Sequence, residues 1–239
     1  LNADGSGNDV LIQSNGSTKA IVTAEGTLGI GTASPTTSLH LKDNATAANT
    51  KLTVERSALS YTGSYAASHC GSVTNNEFEI HTNNTLRVKI DNTGAVTMPS
   101  QPAFSVASNV TQANITVGDE ITVVYGTEVF DQNSDFTSNT FTAPLTGKYQ
   151  LNATTRLGQV DSGSSYFMYR IRTSNREYKS IFDPDFGQDA AYWSTSFSVL
   201  ADMDAGDTAI VSVVQNNGDA QTDIQGNTQY TYFTGYLVA

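Results

Sequence analysis

The sequence predicts an all-β protein, with a slender strand-built N-terminal part followed by a larger β sandwich. The first indication is composition: only 15% of the 239 residues are charged and 38% are hydrophobic, while Asn, Thr, Ser and Gly abound. That balance suits a turn-rich β chain better than a helical enzyme. The second is periodicity. From Ala103 onward, apolar residues alternate with polar ones in runs separated by turn residues, at about the 8–12-residue spacing of sandwich folds. The third is the stretch Thr140–Tyr149, where one alternating run meets Pro144 and a second starts after Gly147. Pro144 has no N–H for a ladder, and Gly147 is expected to permit the turn into the next strand. We therefore divide the chain into a β-rich shaft, residues 1–100, and a head, residues 101–239.

The shaft contains an internal repeat. Ile12-Gln13-Ser14-Asn15-Gly16-Ser17-Thr18-Lys19 lies in register with Ile80-His81-Thr82-Asn83-Asn84-Thr85-Leu86-Arg87. The same offset pairs Val22 with Ile90, Gly26 with Gly94, Leu28 with Val96 and Ile30 with Met98. Each copy reads as strand, Asn/Gly turn, strand, Gly turn, strand. Neither has enough apolar residues for a core of its own, so each must borrow one from neighbours. Between the copies, 44–49 reads as a linker or helical turn, 51–56 as a strand and 57–76 as loops and strands. Pro99 and Pro102 bracket a stiff connector to the head. In the head, strands are expected at 103–106, 121–125, 141, 148–157, 165–173, 176–182, 192–200, 208–215 and 230–238.

Two resemblances follow from particular residues. Leu28-Gly29-Ile30-Gly31-Thr32-Ala33-Ser34-Pro35, with Leu39-His40-Leu41 after it, resembles a segment common in bacteriophage tail fibres and tailspikes. Leu86 to Gly94 resembles the strand and turn that precede that segment, but the second copy ends Thr97-Met98-Pro99 and departs from it. In the head, Phe104-Ser105-Val106, then Phe141-Thr142-Ala143-Pro144 with Gly147 and Tyr149, then Val199-Leu200 with Ala205-Gly206-Asp207-Thr208, and finally Phe233-Thr234-Gly235-Tyr236-Leu237 fall in order. Together they resemble the complement one-q/tumour-necrosis-factor jelly-roll head. That resemblance implies a ten-stranded jelly-roll sandwich. It also implies a homotrimer, closed through apolar and aromatic residues on one sheet's edge and face. Tyr149, Tyr166, Phe167, Tyr169, Phe197, Phe233 and Tyr236 would divide between core and trimer axis.

The chemistry to be expected is binding, not catalysis. A net charge of -11 argues against nucleic acid and against anionic lipid, both of which need clustered Lys or Arg. No apolar run approaches the roughly 20 residues of a membrane span. Cys70 is alone, so no intrachain disulfide is expected. His40, His69 and His81 have no nucleophile or metal-ligand pattern beside them, and no acidic pair stands out as a glycosidase site. The Asn-x-Ser/Thr triplets at Asn15, Asn44, Asn109, Asn114 and Asn152 are what a chain so rich in Asn and Thr produces by chance. No cofactor is required. Asp183-Pro184-Asp185-Phe186-Gly187-Gln188-Asp189 echoes the oxygen-rich loops that hold calcium, which makes Asp183, Asp185 and Asp189 candidate ligands. Asp202-Met203-Asp204-Ala205-Gly206-Asp207 has similar spacing but coincides with a structural turn.

Strand parity locates the surface to examine. If the shaft enters at the base, the loops at the far tip are 158–164, 183–191 and 216–229. They carry Asp161, Asp183, Asp185, Phe186, Asp189, Asn216, Asn217, Asp219, Gln221, Asp223, Gln225 and Asn227, with Tyr192 and Trp193 close by. Amides and carboxylates suit sugar hydroxyls, and aromatic rings suit the apolar faces of sugars. The expectation is a phage tail-fibre tip, on the outside of a virion, that binds a host-surface glycan or protein. It would join other tail proteins through a preceding part of a longer chain. The alternatives are a trimerisation and folding cap, a bacterial surface adhesin, and a glycan hydrolase.

Overall fold

The computed structural model describes residues 9–36, 38–41, 75 and 77–239. The expected linker at 44–49, the strand at 51–56, most of 57–76, His69 and Cys70 lie outside them. Contacts divide the chain into two units, Leu1–His69 and Cys70–Ala239.

In the first unit β1 (Val10–Ser14) and β2 (Ser17–Val22) form an antiparallel hairpin, with β3 (Leu28–Ile30) against β2 and β4 (Leu39–Leu41) parallel to β3. Asn15 and Gly16 both have positive φ, as a two-residue hairpin turn requires. In the second unit β5 (Phe78–Thr82), β6 (Thr85–Ile90) and β7 (Val96–Thr97) repeat the first three of these strands. The turn is now Asn83-Asn84, again at positive φ. Even the irregularity is repeated: the register shifts between Ile12 and Gln13 in one copy and between Ile80 and His81 in the other. Pairing puts Val10, Ile12, Ala20, Val22, Leu28 and Ile30 on one face of the first sheet. Phe78, Ile80, Val88, Ile90 and Val96 occupy the equivalent face of the second. Ile12, Val22, Leu28, Ile30, Ile80, Ile90 and Val96 are all exposed there.

The head begins at β8 (Ala103–Ala107) and continues with β9 (Ile121–Thr122), β10 (Thr127–Asp131), β11 (Phe136–Thr137), β12 (Thr140–Thr142), β13 (Gly147–Val160), β14 (Tyr166–Thr173), β15 (Glu177–Phe182), β16 (Ala190–Met203), β17 (Thr208–Asn216), β18 (Asp223–Ile224) and β19 (Tyr232–Leu237). One sheet runs β10-β8-β19-β13-β16, with β18 against β13. The other runs β11-β12-β17-β14-β15, with β9 against β17. The fold is an all-β jelly-roll sandwich whose two five-strand paths give the expected ten strands. The chain passes repeatedly between the two sheets, with β11–β12 and β14–β15 as hairpins within one of them, and the first and last strands lie side by side.

The core between the sheets is aromatic. Phe104 stacks on Phe141 at 4.7 Å and meets Phe233 edge-on at 5.0 Å; Tyr149 packs edge-on against Phe141 at 5.4 Å. Burying one such ring contributes about 1.5–3 kcal/mol. Gly235 belongs to this core because a Cβ there would lie 2.6 Å from the Phe104 ring and 2.8 Å from Leu151. Of the aromatics set aside for core or axis, Tyr149, Phe167, Tyr169 and Phe233 are buried, Phe197 is partly buried against them, and Tyr236 is exposed. Tyr166 is half-buried on the outer side of the second sheet.

Three details differ from expectation. Gly147 does not adopt positive φ; it is required because a Cβ would lie 2.6 Å from the Ala239 carbonyl and from Leu237 Cδ1, where β19 ends. The strand expected over 121–125 is only Ile121–Thr122: Val123 N still donates to the Val211 carbonyl at 2.9 Å, but side chains replace the ladder from Val124 on. Gln112 Oε1 accepts from Val124 N at 2.8 Å and Asn139 Oδ1 from Tyr125 N at 2.8 Å. Finally β10, β11 and β18 were not expected. They are short, and β10 is broken by a bulge between Glu128 and Phe130.

Candidate functional site

Strand directions give the sandwich two distinct ends. The base holds the turn at 143–146, the turns at 174–176 and 204–207, and the residues that lead in from β7. Gln132 Nε2 donates to the Met98 carbonyl (3.0 Å), and Gln101 Nε2 donates to the Leu237 carbonyl (3.1 Å). The opposite end, the tip, gathers 161–165, 183–189 and 217–231. The first two loops are shorter than expected because β13 extends to Val160 and β16 starts at Ala190, whereas the third runs on to Thr231 because β19 starts only at Tyr232.

The tip is held together by carboxylates. Asp161, only 6% exposed, accepts from Gly163 N (2.9 Å), Asp219 N (2.6 Å), Ser164 Oγ (3.2 Å) and Gln215 Nε2 (3.5 Å). Gly218 makes this approach feasible: its φ is positive, and a Cβ would stand 1.8 Å from Asp161 Oδ2. Asp223, 7% exposed, accepts from Asn114 N at 2.9 Å and Gln159 Nε2 at 3.0 Å. Both carboxylates were expected to face a ligand; both turn inward and staple loop to loop. Asp189 joins two further loops, accepting from Gln221 Nε2 (2.7 Å), Ser162 N (2.9 Å) and Ser162 Oγ (2.7 Å). Those donors, Gln221 foremost, lower its pKa to about 2.

The remaining expected residues are distributed around these staples. Asp183 Oδ1 caps Asp185 N at 3.1 Å, and both side chains are exposed. Asn217 Nδ2 donates to Ser165 Oγ at 2.9 Å, and Asn227 Oδ1 accepts from Gln229 N at 2.9 Å. Asn216 closes β17, half-buried, and Asp219 is exposed. Gln225 lies against β13, its Nε2 where a Gly158 Cβ would otherwise sit. Among the described residues no group of three or more His, Cys, Asp or Glu side chains is disposed to hold a metal ion. Asp183, Asp185 and Asp189 are therefore not gathered around one point. His40 Nδ1 accepts from Thr36 N, and His81 Nε2 bonds Glu79.

Two aromatic arrangements flank the tip. Trp193 stacks on Phe182 at 4.9 Å and meets Phe186 at 5.2 Å, and Phe182 stacks in turn on Phe167 of the core. Phe186 is 39% and Trp193 37% exposed, so the outer rings of a core-anchored stack open to solvent. On the outer face of the first sheet, the Arg156 guanidinium carbon lies 3.8 Å from the Tyr192 ring centre and 4.4 Å from that of Tyr230. Sequence reasoning missed Phe182, Arg156 and Tyr230. Alternation along β13 places Arg156 outward with Gln150, Asn152 and Thr154, but its ring partners come from other strands.

No family model matches the chain, and no curated protein matches it. Among solved structures it is similar to the globular domain of zebrafish complement 1qA protein, with 19% identity and a TM-score of 0.45 over 59% of this chain and 98% of that one. It is also similar to murine APRIL, with 12% identity and a TM-score of 0.43 over 58% of this chain and 100% of that one.

Proposed function

We propose that this chain is the receptor-binding tip of a trimeric fibre of the bacteriophage tail type, which attaches a virion to a host-surface receptor, a glycan in the first instance. The observation that carries the reading is the polarity of the second unit. The strand sheet β5-β6-β7 is tied to the base through Met98 and Gln101, while the stapled loops and the open Phe186–Trp193 stack stand at the other end. A fibre head that presents a binding surface away from its shaft has this arrangement.

Self-association is supported by the apolar faces of the two strand sheets. Ile12, Val22, Leu28, Ile30, Ile80, Ile90 and Val96 are exposed as two related patches, and second and third copies of the chain would cover both. In the head, the outer faces of the two sheets differ. That of β14-β15 carries Arg170, Arg172 and Lys179 with Glu120 and Glu177 in ion pairs. That of β8-β19-β13-β16 carries exposed Leu200 and Tyr236 near the base among Ser, Thr, Asn and Gln. Subunits meet through this second, weakly charged face at its base end, next to the shaft. Three equivalent tips on one fibre then add avidity to individually weak contacts. No covalent step is required.

The test uses the purified chain and a host-cell adsorption assay. The chain is expected to have a trimer's mass by light scattering. Phe186→Ala combined with Trp193→Ala should keep that mass while lowering adsorption at least about tenfold. A monomeric wild-type chain would overturn the assembly. Unchanged adsorption by an intact trimeric variant would overturn the binding role and leave the head a folding cap.

A further inference from the structure

The proposed binding role leaves Arg156 unexplained. Among the described residues its guanidinium has no carboxylate partner and no hydrogen-bond acceptor, although the chain carries a net charge of -11. The other head arginines are paired: Arg170 and Arg172 with Glu120, and Arg176 with Asp202. What Arg156 has instead are two rings, Tyr192 from β16 and Tyr230 from the segment before β19, at 3.8 and 4.4 Å.

The surroundings hold this group in place. The backbone of Arg156 is fixed on both sides, its N–H donating to Thr231 Oγ1 at 3.2 Å and its carbonyl accepting from Gln225 N at 2.9 Å. The first contact sets the residue next to Tyr230. Tyr192 comes from directly opposite Gly158, two positions along β13 and on the same face. The missing side chain at Gly158 lets the Gln225 amide lie against the strand there, since a Cβ would stand 2.2 Å from its Nε2. One guanidinium, two phenol rings and one amide thus share the tip-ward end of this face. Tyr192 and Tyr230 are both exposed.

A guanidinium stacked on aromatic rings uses its flat faces and leaves its in-plane N–H donors at the rim. Those donors match the paired oxygens of a carboxylate or a phosphate, and such charge-assisted forks are stronger than bonds to a neutral hydroxyl. The tip loops themselves, 161–165, 183–189 and 217–231, contain no Lys or Arg. Arg156 is therefore the cationic group available beside them.

We infer that Arg156, flanked by Tyr192 and Tyr230 with the Gln225 amide beside it, is a subsite for an oxyanion carried by the surface glycan, the carboxylate of an acidic sugar or a phosphate. This rests on the glycan-binding role proposed above and specifies its ligand class. The acidic group of the ligand sits on Arg156.

The experiment is a titration of the intact chain, labelled for detection of arginine side-chain Nε–H resonances, with glucuronate, a glucose phosphate and glucose in turn. The Arg156 resonance is expected to shift saturably with one or both anions, in the millimolar range of about 1–50 mM, and not with glucose. The tighter of the two anions identifies the source of the oxyanion. Binding to the variants is read from the Gln225 side-chain amide resonances, which persist in them; Arg156→Lys keeps the charge but loses the fork, and should weaken binding about tenfold. Arg156→Gln should abolish binding while the mass and circular dichroism of the protein stay unchanged. The inference is overturned if neither anion moves the resonance, if glucose moves it equally, or if Arg156→Gln still binds. It is also overturned if Arg156→Gln splits the assembly while anions have no effect on the wild type, because the ring stack would then be a subunit contact. Adsorption lost on Phe186→Ala with Trp193→Ala, alongside a silent Arg156, would retain the tip's role and reject this subsite alone.

Discussion

The sharpest perturbation of the tip is Asp161→Asn, a change of one atom in a buried group. The wild-type carboxylate accepts from two backbone amides, Gly163 at 2.9 Å and Asp219 at 2.6 Å, and from Ser164 Oγ and Gln215 Nε2. An asparagine must present NH2 to one side. Turned one way it confronts the Gly163 N–H; turned the other, it confronts the Asp219 N–H and the Gln215 amide. At least one buried backbone donor loses its acceptor, and the remaining bonds lose their charge assistance. A hydrogen bond to a charged group is worth about 1.5–3 kcal/mol net and a neutral one about 1 kcal/mol, so the total loss is about 3 kcal/mol. Urea unfolding should show it as a lower midpoint with an unchanged slope. Hydrogen exchange should accelerate at the Gly163 and Asp219 amides. Asp183→Asn, in the same tip but exposed, should stay within about 0.5 kcal/mol of wild type. An Asp161→Asn protein within that same margin would refute the staple.

Two further outcomes are expected. The Asp189 carboxyl titrates near 2 in the folded chain against an ordinary value of 3.8, so its contribution is complete above the ordinary value and is lost as pH falls from there toward 2. Protection of the Ser162 amide, taken relative to the intrinsic exchange rate at each pH, should therefore fall over that acid window and stay constant between pH 7 and 5, and Asp189→Asn should remove the dependence. At the base, the Tyr149 hydroxyl donates to the Leu145 carbonyl at 2.8 Å and accepts from Leu145 N at 3.3 Å. Tyr149→Phe should destabilise the head by about 1–2 kcal/mol in urea and leave the exchange of the tip amides unchanged.

Much of the architecture was legible because it is local. Alternation along β13, β14 and β17 follows from a side-chain period of two. Strand parity then fixed which loops share an end, and the structure joins those loops through Asp161, Asp189 and Gln221. The equivalent turns at Asn15-Gly16 and Asn83-Asn84 could be read from residue types that tolerate positive φ. Gly235 and Gly147 show the limit of such reading. Both are marked in the sequence, yet both are needed for close approach by distant residues, Phe104 and Leu151 in one case and the end of β19 in the other.

The role of each tip carboxylate was not legible. Asp161 and Asp183 look alike in sequence, as polar residues in polar loops. One became a buried staple because Asp219 N, 58 positions away, is brought to it; the other remained in solvent. Arg156 likewise reads as one more outward residue of β13. Its partners lie on β16 and just before β19, and only the assembled sheet brings both rings to it. By itself the sequence determined the longer strands, their alternation and the two ends of the sandwich, all of which depend on residues a few positions apart. Only the tertiary structure decided which carboxylates turn inward, which aromatics stay open and which cation goes unpaired, because each depends on donors and rings contributed by remote strands.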